Sequence, residues 1–330
     1  MAENHEQGKV YIIDSTLMLY RYFRGLPPMS ANGRRTEAVY GYGKMLLSLL
    51  AKRPDGVIAV FDHGQHNFRN YVLPTYKENY SAMPAELKAQ QELAKQMCAV
   101  LGVDAYSVNE VEADDVIATL AKKLAKSGKD VVVVSTDHDF FQLIDENIQV
   151  LVPAAENQGL GGAPTLYDES AAYTWLEAKY GATFDPKLIA DLKAIAGSTA
   201  KGIPGVKGIG EKGAAKLVAQ YGNVDKIVKA LPKMLPGKGS AKEKLEASLG
   251  NLMKSRELTT INANVRLKQF KVEDVAGLKS FDAKVADTFF EVLGMNDLGR
   301  RSLRLNERIE AAKLPFASQP DPAQELALFC

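Results

Sequence analysis

Seven acidic residues sit where a fold could gather them: Asp14, Asp62, Glu112, Asp114, Asp115, Asp137 and Asp139. Apolar runs lead into four of them. VYIID closes on Asp14, VIAVFD closes on Asp62, and VVVVSTDHD leads into Asp137 and Asp139. The segment EVEADDVIATLA carries the other three at the opening of a helical pattern. Carboxylates brought close together repel one another unless cations neutralise them. Mg2+ or Mn2+ suits such a set, because hard ions take oxygen ligands. Two such ions roughly 3.5–4 Å apart can activate a water and steady the leaving oxygen of a phosphodiester. Taken alone, Glu112, Asp114 and Asp115 are equally explained as acids complementing a helix N-terminus. His63, His66 and His138 lie near these positions with no cysteine partner nearby, so they read as loop residues rather than zinc ligands.

The elements that must position these acids are legible in the same runs. The runs are rich in Val and Ile without alternation, as in strands buried on both faces of a parallel sheet. Helical spacing fills Thr36 to Leu50, Leu87 to Leu101 and Ala113 to Lys126. Strands alternating with helices predict an α/β fold, a mostly parallel central sheet with helices on both faces. Function in such sheets collects at the carboxyl ends of the strands, which sets the acidic strand ends along one edge. Residues 1–184 are assigned to this core. Residues 185–305 read as a helical region with Gly- and Lys-rich turns, and residues 306–330 as a flexible, proline-containing tail.

Of the 330 residues, 46% are hydrophobic and 25% charged, the profile of a soluble globular protein. No apolar run approaches the ~20 residues that cross a bilayer, so no membrane association is expected. The two cysteines, Cys98 and Cys330, form no disulfide framework and suit a reducing cytoplasm; a monomer is expected. A net charge of +1 selects no partner. Locally, however, ten lysines between Lys201 and Lys244 face only Glu211, Asp225 and Glu243. A basic surface beside an acidic centre suits a polyanion held against metal ions, although an ordinary solvated lysine face has the same composition.

The blocks IID-S…YR, VFD…FR…YK, VEADDVIATLA, STDHDFFQL and IPGVKGIGEKGAAKL follow in this order from about Val10 to Leu258. Together they resemble the 5′-nuclease (flap endonuclease) family. That family includes the 5′→3′ exonuclease domain of bacterial DNA polymerase I and stand-alone phage or bacterial forms. The resemblance implies a PIN-like 5′-nuclease fold with a helical arch at about 80–101 and a helix–three-turn–helix element at about 202–222. It places metal carboxylates at all seven acids, with Asp62 and Asp137 central to catalysis. It implies that Arg69 and Lys77 contact the scissile phosphate, and that Arg21 and Tyr76 meet DNA. In the last block, Gly205, Gly208 and Gly210 permit tight turns close to a phosphate, while Lys201, Lys207, Lys212 and Lys216 add charge. The family often holds K+ on these turn carbonyls. The arch segment is also compatible with a plain packed amphipathic helix.

Family members with a full second metal site carry two aspartates just before the IPGV block. Here Ser198 and Lys201 stand in their place. Serine is a weak neutral ligand and lysine repels a cation, so a well-formed first site and a weakened second one are expected. Nearby Asp191 reads as helix surface or a structural cap. At the C-terminus, Gln324, Leu326, Leu328 and Phe329 look like the short peptide by which bacterial replication proteins bind the sliding clamp. A tail folding back on the domain fits equally. The combined expectation is a 5′→3′ exonuclease and flap endonuclease acting on DNA with a 5′ end, flap or branch, in the cytoplasm of a bacterial or phage-infected cell. The alternative is a branched-DNA-binding protein with little or no catalytic activity.

Overall fold

Strand β1 (Lys9–Asp14) shows how composition sets the architecture. Successive strand side chains point to opposite faces. Val10 and Ile12 therefore enter one core layer, and Tyr11 and Ile13 the other. All four are buried. At ~1.5–3 kcal/mol for each large apolar side chain removed from water, such a strand is stable only in mid-sheet, covered on both faces.

The protein is described from a computed structural model, which covers residues 8–64, 66–154, 163–268, 270–275 and 277–313. After β1 come α1 (Ser15–Gly25), a hairpin of β2 (Ser30–Ala31) and β3 (Arg34–Arg35), α2 (Glu37–Leu50), β4 (Gly56–Val60), α3 (Arg69–Val72) and α4 (Ala85–Val100). Then follow β5 (Asp104–Tyr106), α5 (Ala113–Lys126), β6 (Asp130–Val134), β7 (Ile148–Val152), β8 (Thr165–Tyr167) and α6 (Glu169–Tyr180). The helical region contains α7 (Ile189–Ala196), α8 (Glu211–Tyr221), α9 (Val224–Ala230), α10 (Ala241–Ala247), α11 (Leu249–Thr259), α12 (Ala283–Val292) and α13 (Asn296–Lys313). The sheet order is β5-β4-β1-β6-β7-β8, parallel throughout except for the antiparallel edge strand β8. Helices cover both faces, as the sequence pattern predicts.

The segment assigned to the arch carries a packed helix, the other form its amphipathic pattern allows. Leu87, Ala94, Met97 and Cys98 of α4 are fully buried, and Gln90 accepts the Ala38 and Val39 amides at the start of α2 (2.7 and 3.1 Å). The apolar face of α4 is therefore spent on the core, and only the short stretch Tyr80–Pro84 before it lies outside regular structure. Residues 306–313, expected in the tail, instead continue α13, which buries Leu305 and Ile309.

Candidate active site

The register of the sheet gathers the acids. Asp14 pairs with Val60, and Ile13 pairs with Val134, so Asp62 and Ser135 follow at the same sheet edge. Asp14 caps α1, accepting the Leu17 amide (3.2 Å), and also accepts the Ser135 hydroxyl (2.9 Å). Asp62 accepts the amide of Ala113, the first residue of α5 (2.9 Å), and its own amide donates to Thr16 Oγ1 (2.8 Å). This link pins the start of α5, whose Asp114 then lies within electrostatic reach of Asp14, Asp137 and Glu112. Asp137 begins the 3-10 turn His138–Leu143 by accepting the Asp139 amide (2.8 Å).

Burial and mutual repulsion set the electrostatics of this edge. Burial, then Asp62 and Asp137, push the Asp14 carboxyl up to about 7. Burial raises Asp62 as well. Asp114 is raised well above the carboxylate range by burial and then by Asp14, Asp137 and Glu112. The sign of the linkage follows. Unfolded Asp14 ionises near 3.8 but folded Asp14 near 7, so between these values the folded state holds the extra proton and its stability falls as pH rises. His138, half-buried and lowered to about 4 chiefly by that burial, acts in the opposite sense below its ordinary value of 6.5. The comparison is therefore made against Asp14→Asn. With chelator present, the native protein should lose more of its melting temperature between pH 5 and pH 8 than this variant does. An equal loss in both would remove the assignment.

Not all seven acids share this space. Asp115 is fully buried and turns away, taking a two-pronged hold from Arg69 (2.7 and 2.9 Å) and the Asn262 amide (2.8 Å). Arg69, expected at the phosphate, spends all five N–H donors inside the protein. They go to Asp115, to Glu112 (3.0 Å), and to the carbonyls of Leu258 (3.0 Å) and Thr260 (3.2 Å). Glu112 also accepts from Asn67 (3.1 Å) and pairs with Lys77. Tyr76 is 3% exposed, packed with Ile203 and Leu258, so a base cannot reach its ring. Lys77 is half-buried, its ammonium 5.4 Å and 5.6 Å from the ring centres of Tyr76 and exposed Tyr80. Burial opposes its charge, but Glu112 outweighs this and holds the ammonium above its usual range. Lys77 also has a left-handed backbone (φ 56°), a strained placement for a residue with a side chain.

Sequence reasoning missed Lys193, on α7, which ion-pairs with Asp139 and lies 3.8 Å from Asp137. Its only signal was a charge inside the apolar stretch DLKAIAG. Lys201 approaches from the other side, 3.0 Å from Asp139 and 3.9 Å from Asp137. Burial opposes the charge of Asp139, yet the two lysines outweigh it and hold the carboxyl below the usual range. Ser198 does not reach toward the acids. Its hydroxyl caps the Lys201 amide (3.2 Å), within a turn closed by paired Ser198–Ile203 backbone bonds (2.8 and 2.9 Å). A cleft of about 240 Å³ opens beside Asp137, between Leu17, His138, Lys179 and Lys193. His138 lies stacked on Trp175 (4.1 Å between centres).

The glycine-rich element joins α7 to α8. Gly205 (φ +60°) is packed so tightly that a Cβ there would fall 2.4 Å from the Gly197 nitrogen. Its backbone therefore meets protein rather than a ligand, whereas Gly208 and Gly210 are exposed. Lys207, Lys212 and Lys216 are exposed on the same element, Lys244 donates to the Gly208 carbonyl (3.2 Å), and Arg21 is half-buried on α1. Asp191 is structural, accepting the Val224 amide (2.8 Å) and pairing with Arg256 (3.2 Å). Gln324, Leu326, Leu328 and Phe329 lie outside the described residues.

Among the described residues, no three carboxylate, imidazole or thiol groups already close around one point. The donor set still fits a hard divalent ion. Asp14, Asp62, Asp114 and Asp137 offer only oxygens, and Asp14 and Asp114 are raised by burial and then by neighbouring acids. No helix of the described residues is long and apolar enough to cross a membrane.

Residues 9–178 match the family model "5'-3' exonuclease, N-terminal resolvase-like domain", and residues 184–284 match "5'-3' exonuclease, C-terminal SAM fold". The chain is 33% identical over 280 residues to the thermostable DNA polymerase I of Thermus thermophilus, covering 83% of this chain and 32% of the polymerase. It is 31% identical over 297 residues to DNA polymerase I of Mycobacterium leprae, covering 89% and 31%. The chain thus spans about a third of the length of these relatives. Among solved structures, T5 5′-exonuclease with bound zinc has a TM-score of 0.59 at 23% identity, covering 91% of this chain and 98% of that one. The T5 D15 flap endonuclease in complex with DNA and metal ions has a TM-score of 0.60 at 22% identity, covering 92% and 99%.

Proposed function

Because the chain belongs to the 5′-3′ exonuclease family, we propose that it hydrolyses DNA phosphodiesters at a free 5′ end or a flap, in dependence on Mg2+ or Mn2+. The observation that supports this most is the set of Asp14, Asp62, Asp114 and Asp137 at adjacent parallel strand ends and the start of α5, with Asp14 and Asp114 raised by burial first and by the acids around them second. These four would hold the ion. When bound, a divalent ion would cancel their charge and polarise a water and the scissile phosphate.

The chain's own residues prepare that chemistry. Ser135 and the Leu17 amide fix the Asp14 carboxylate, and the Ala113 amide fixes Asp62. Lys77 is the cation best placed to take up phosphate charge, since Glu112 holds it at the edge of the cluster without burying it completely. Arg69 acts as a positioning residue, aiming Glu112 and tying α5 to the end of α11. Exposed Lys207, Lys212 and Lys216 would grip duplex phosphates without reading sequence, beside turn carbonyls able to take K+. A second metal locus is weakened, with Ser198 and Lys201 where acids would be needed.

A labelled flap substrate tests the reading. Cleavage should appear with Mg2+ or Mn2+ and stop with chelator. Lys77→Ala should slow it by roughly 100-fold, the scale for removing one charge-stabilising donor, with little change in DNA affinity. Binding without cleavage at any metal concentration would leave only the DNA-binding alternative, which the lysine pairing of Asp139 favours.

A further inference from the structure

The two lysines at Asp139 are built in, rather than two long side chains that happen to meet. Lys193 rides on α7, between the buried residues Leu192 and Ala194. Lys201 rides on the turn closed by the Ser198–Ile203 bonds, and its carbonyl accepts the Lys77 amide (3.0 Å). Gly202 of that turn packs so close to the Thr75 carbonyl that a Cβ would stand 2.9 Å from it. The two ammoniums divide the acids between them. Lys193 pairs with Asp139 Oδ1 and lies 3.8 Å from Asp137 Oδ1, while Lys201 lies 3.0 Å from Asp139 Oδ2 and 3.9 Å from Asp137 Oδ2. The Asp139 side chain is only 8% exposed, so little water is left to screen these charges.

We propose that Lys193 and Lys201 act together as a resident substitute for a divalent ion: two fixed ammoniums supply a charge of +2 at Asp139 and keep that position closed to metal. This rests on the nuclease reading above and adds Lys193 to it. A divalent ion at Asp139 would lie beside two like charges, and the Ser198 hydroxyl in the adjoining turn is already engaged as a cap. The ion-binding capacity of the chain is then confined to Asp14, Asp62, Asp114 and Asp137.

The test counts Mn2+ by electron paramagnetic resonance titration of the full chain. Asp139→Asn should leave the number of bound ions unchanged, because no ion uses Asp139. Lys193→Met combined with Lys201→Met should add one Mn2+ per chain, and Asp139→Asn in that background should remove it again. Lys193→Arg with Lys201→Arg keeps the charge and should add none. Loss of an ion in the single Asp139→Asn variant would overturn the proposal, and so would a folded double-methionine variant with no added ion. If the native chain binds no Mn2+ and cuts no flap, the nuclease reading fails; the substitution idea still stands or falls on the ion gained in the double variant.

Discussion

With Asp137 replaced by alanine, cleavage of a flap substrate is expected to fall by more than ~100-fold while binding of the same DNA persists. The same holds for Asp62→Ala. Groups that merely orient a metal ligand are worth roughly 10–100-fold, and loss of the ligand itself exceeds that. Asp137 lies at the end of the central strand β6 and opens the adjoining 3-10 turn, so nothing in the exposed lysine surface depends on its carboxylate. The measurement pairs single-turnover cleavage with a binding isotherm in Ca2+. If both alanine variants cut at the native rate, the catalytic assignment is wrong. If both lose binding as well, the acids are holding the fold rather than the reaction.

Arg69→Ala is expected to cost about 3–5 kcal/mol of unfolding free energy, the range for removing one partner of a buried ion pair. Arg69 is 3% exposed, and without it Asp115 would remain fully buried, its remaining side-chain bond being the Asn262 amide. The loss also frees the Leu258 and Thr260 carbonyls at the end of α11, so the helical region loosens from α5. Urea unfolding measures it directly. Arg69→Met with Asp115→Leu should recover most of the loss, since two apolar side chains leave no stranded charge. A native-like single variant would show that Arg69 is exposed in solution and free to meet DNA after all.

Much of this was legible beforehand because it depends on local pattern. Unbroken Val and Ile runs specify a doubly covered parallel sheet, and a strand ending in aspartate puts its carboxylate at the rim. What the sequence could not give was direction. Asp114 and Asp115 are neighbours, but successive helical positions point about 100° apart, so one joins the acidic cluster and the other meets Arg69. The FR…YK block suggested two phosphate contacts, and pairing across the fold consumed one of them. Lys193 was invisible for the same reason: it meets Asp139 across a sequence gap of 54 residues, counting from 139 to 193. The packing of α4 was not legible either, because an amphipathic repeat does not say whether its apolar face will find a core.

The clasp between Lys77 and the turn carrying Lys201 is made of peptide groups, amide to carbonyl, with a glycine pressed against the opposite chain. A latch of that kind is indifferent to the side chain it carries. The gap between the two strips of chain is thereby set by main chain alone, so exchanging the side chain at 201 alters the charge presented there while the spacing stays as it is.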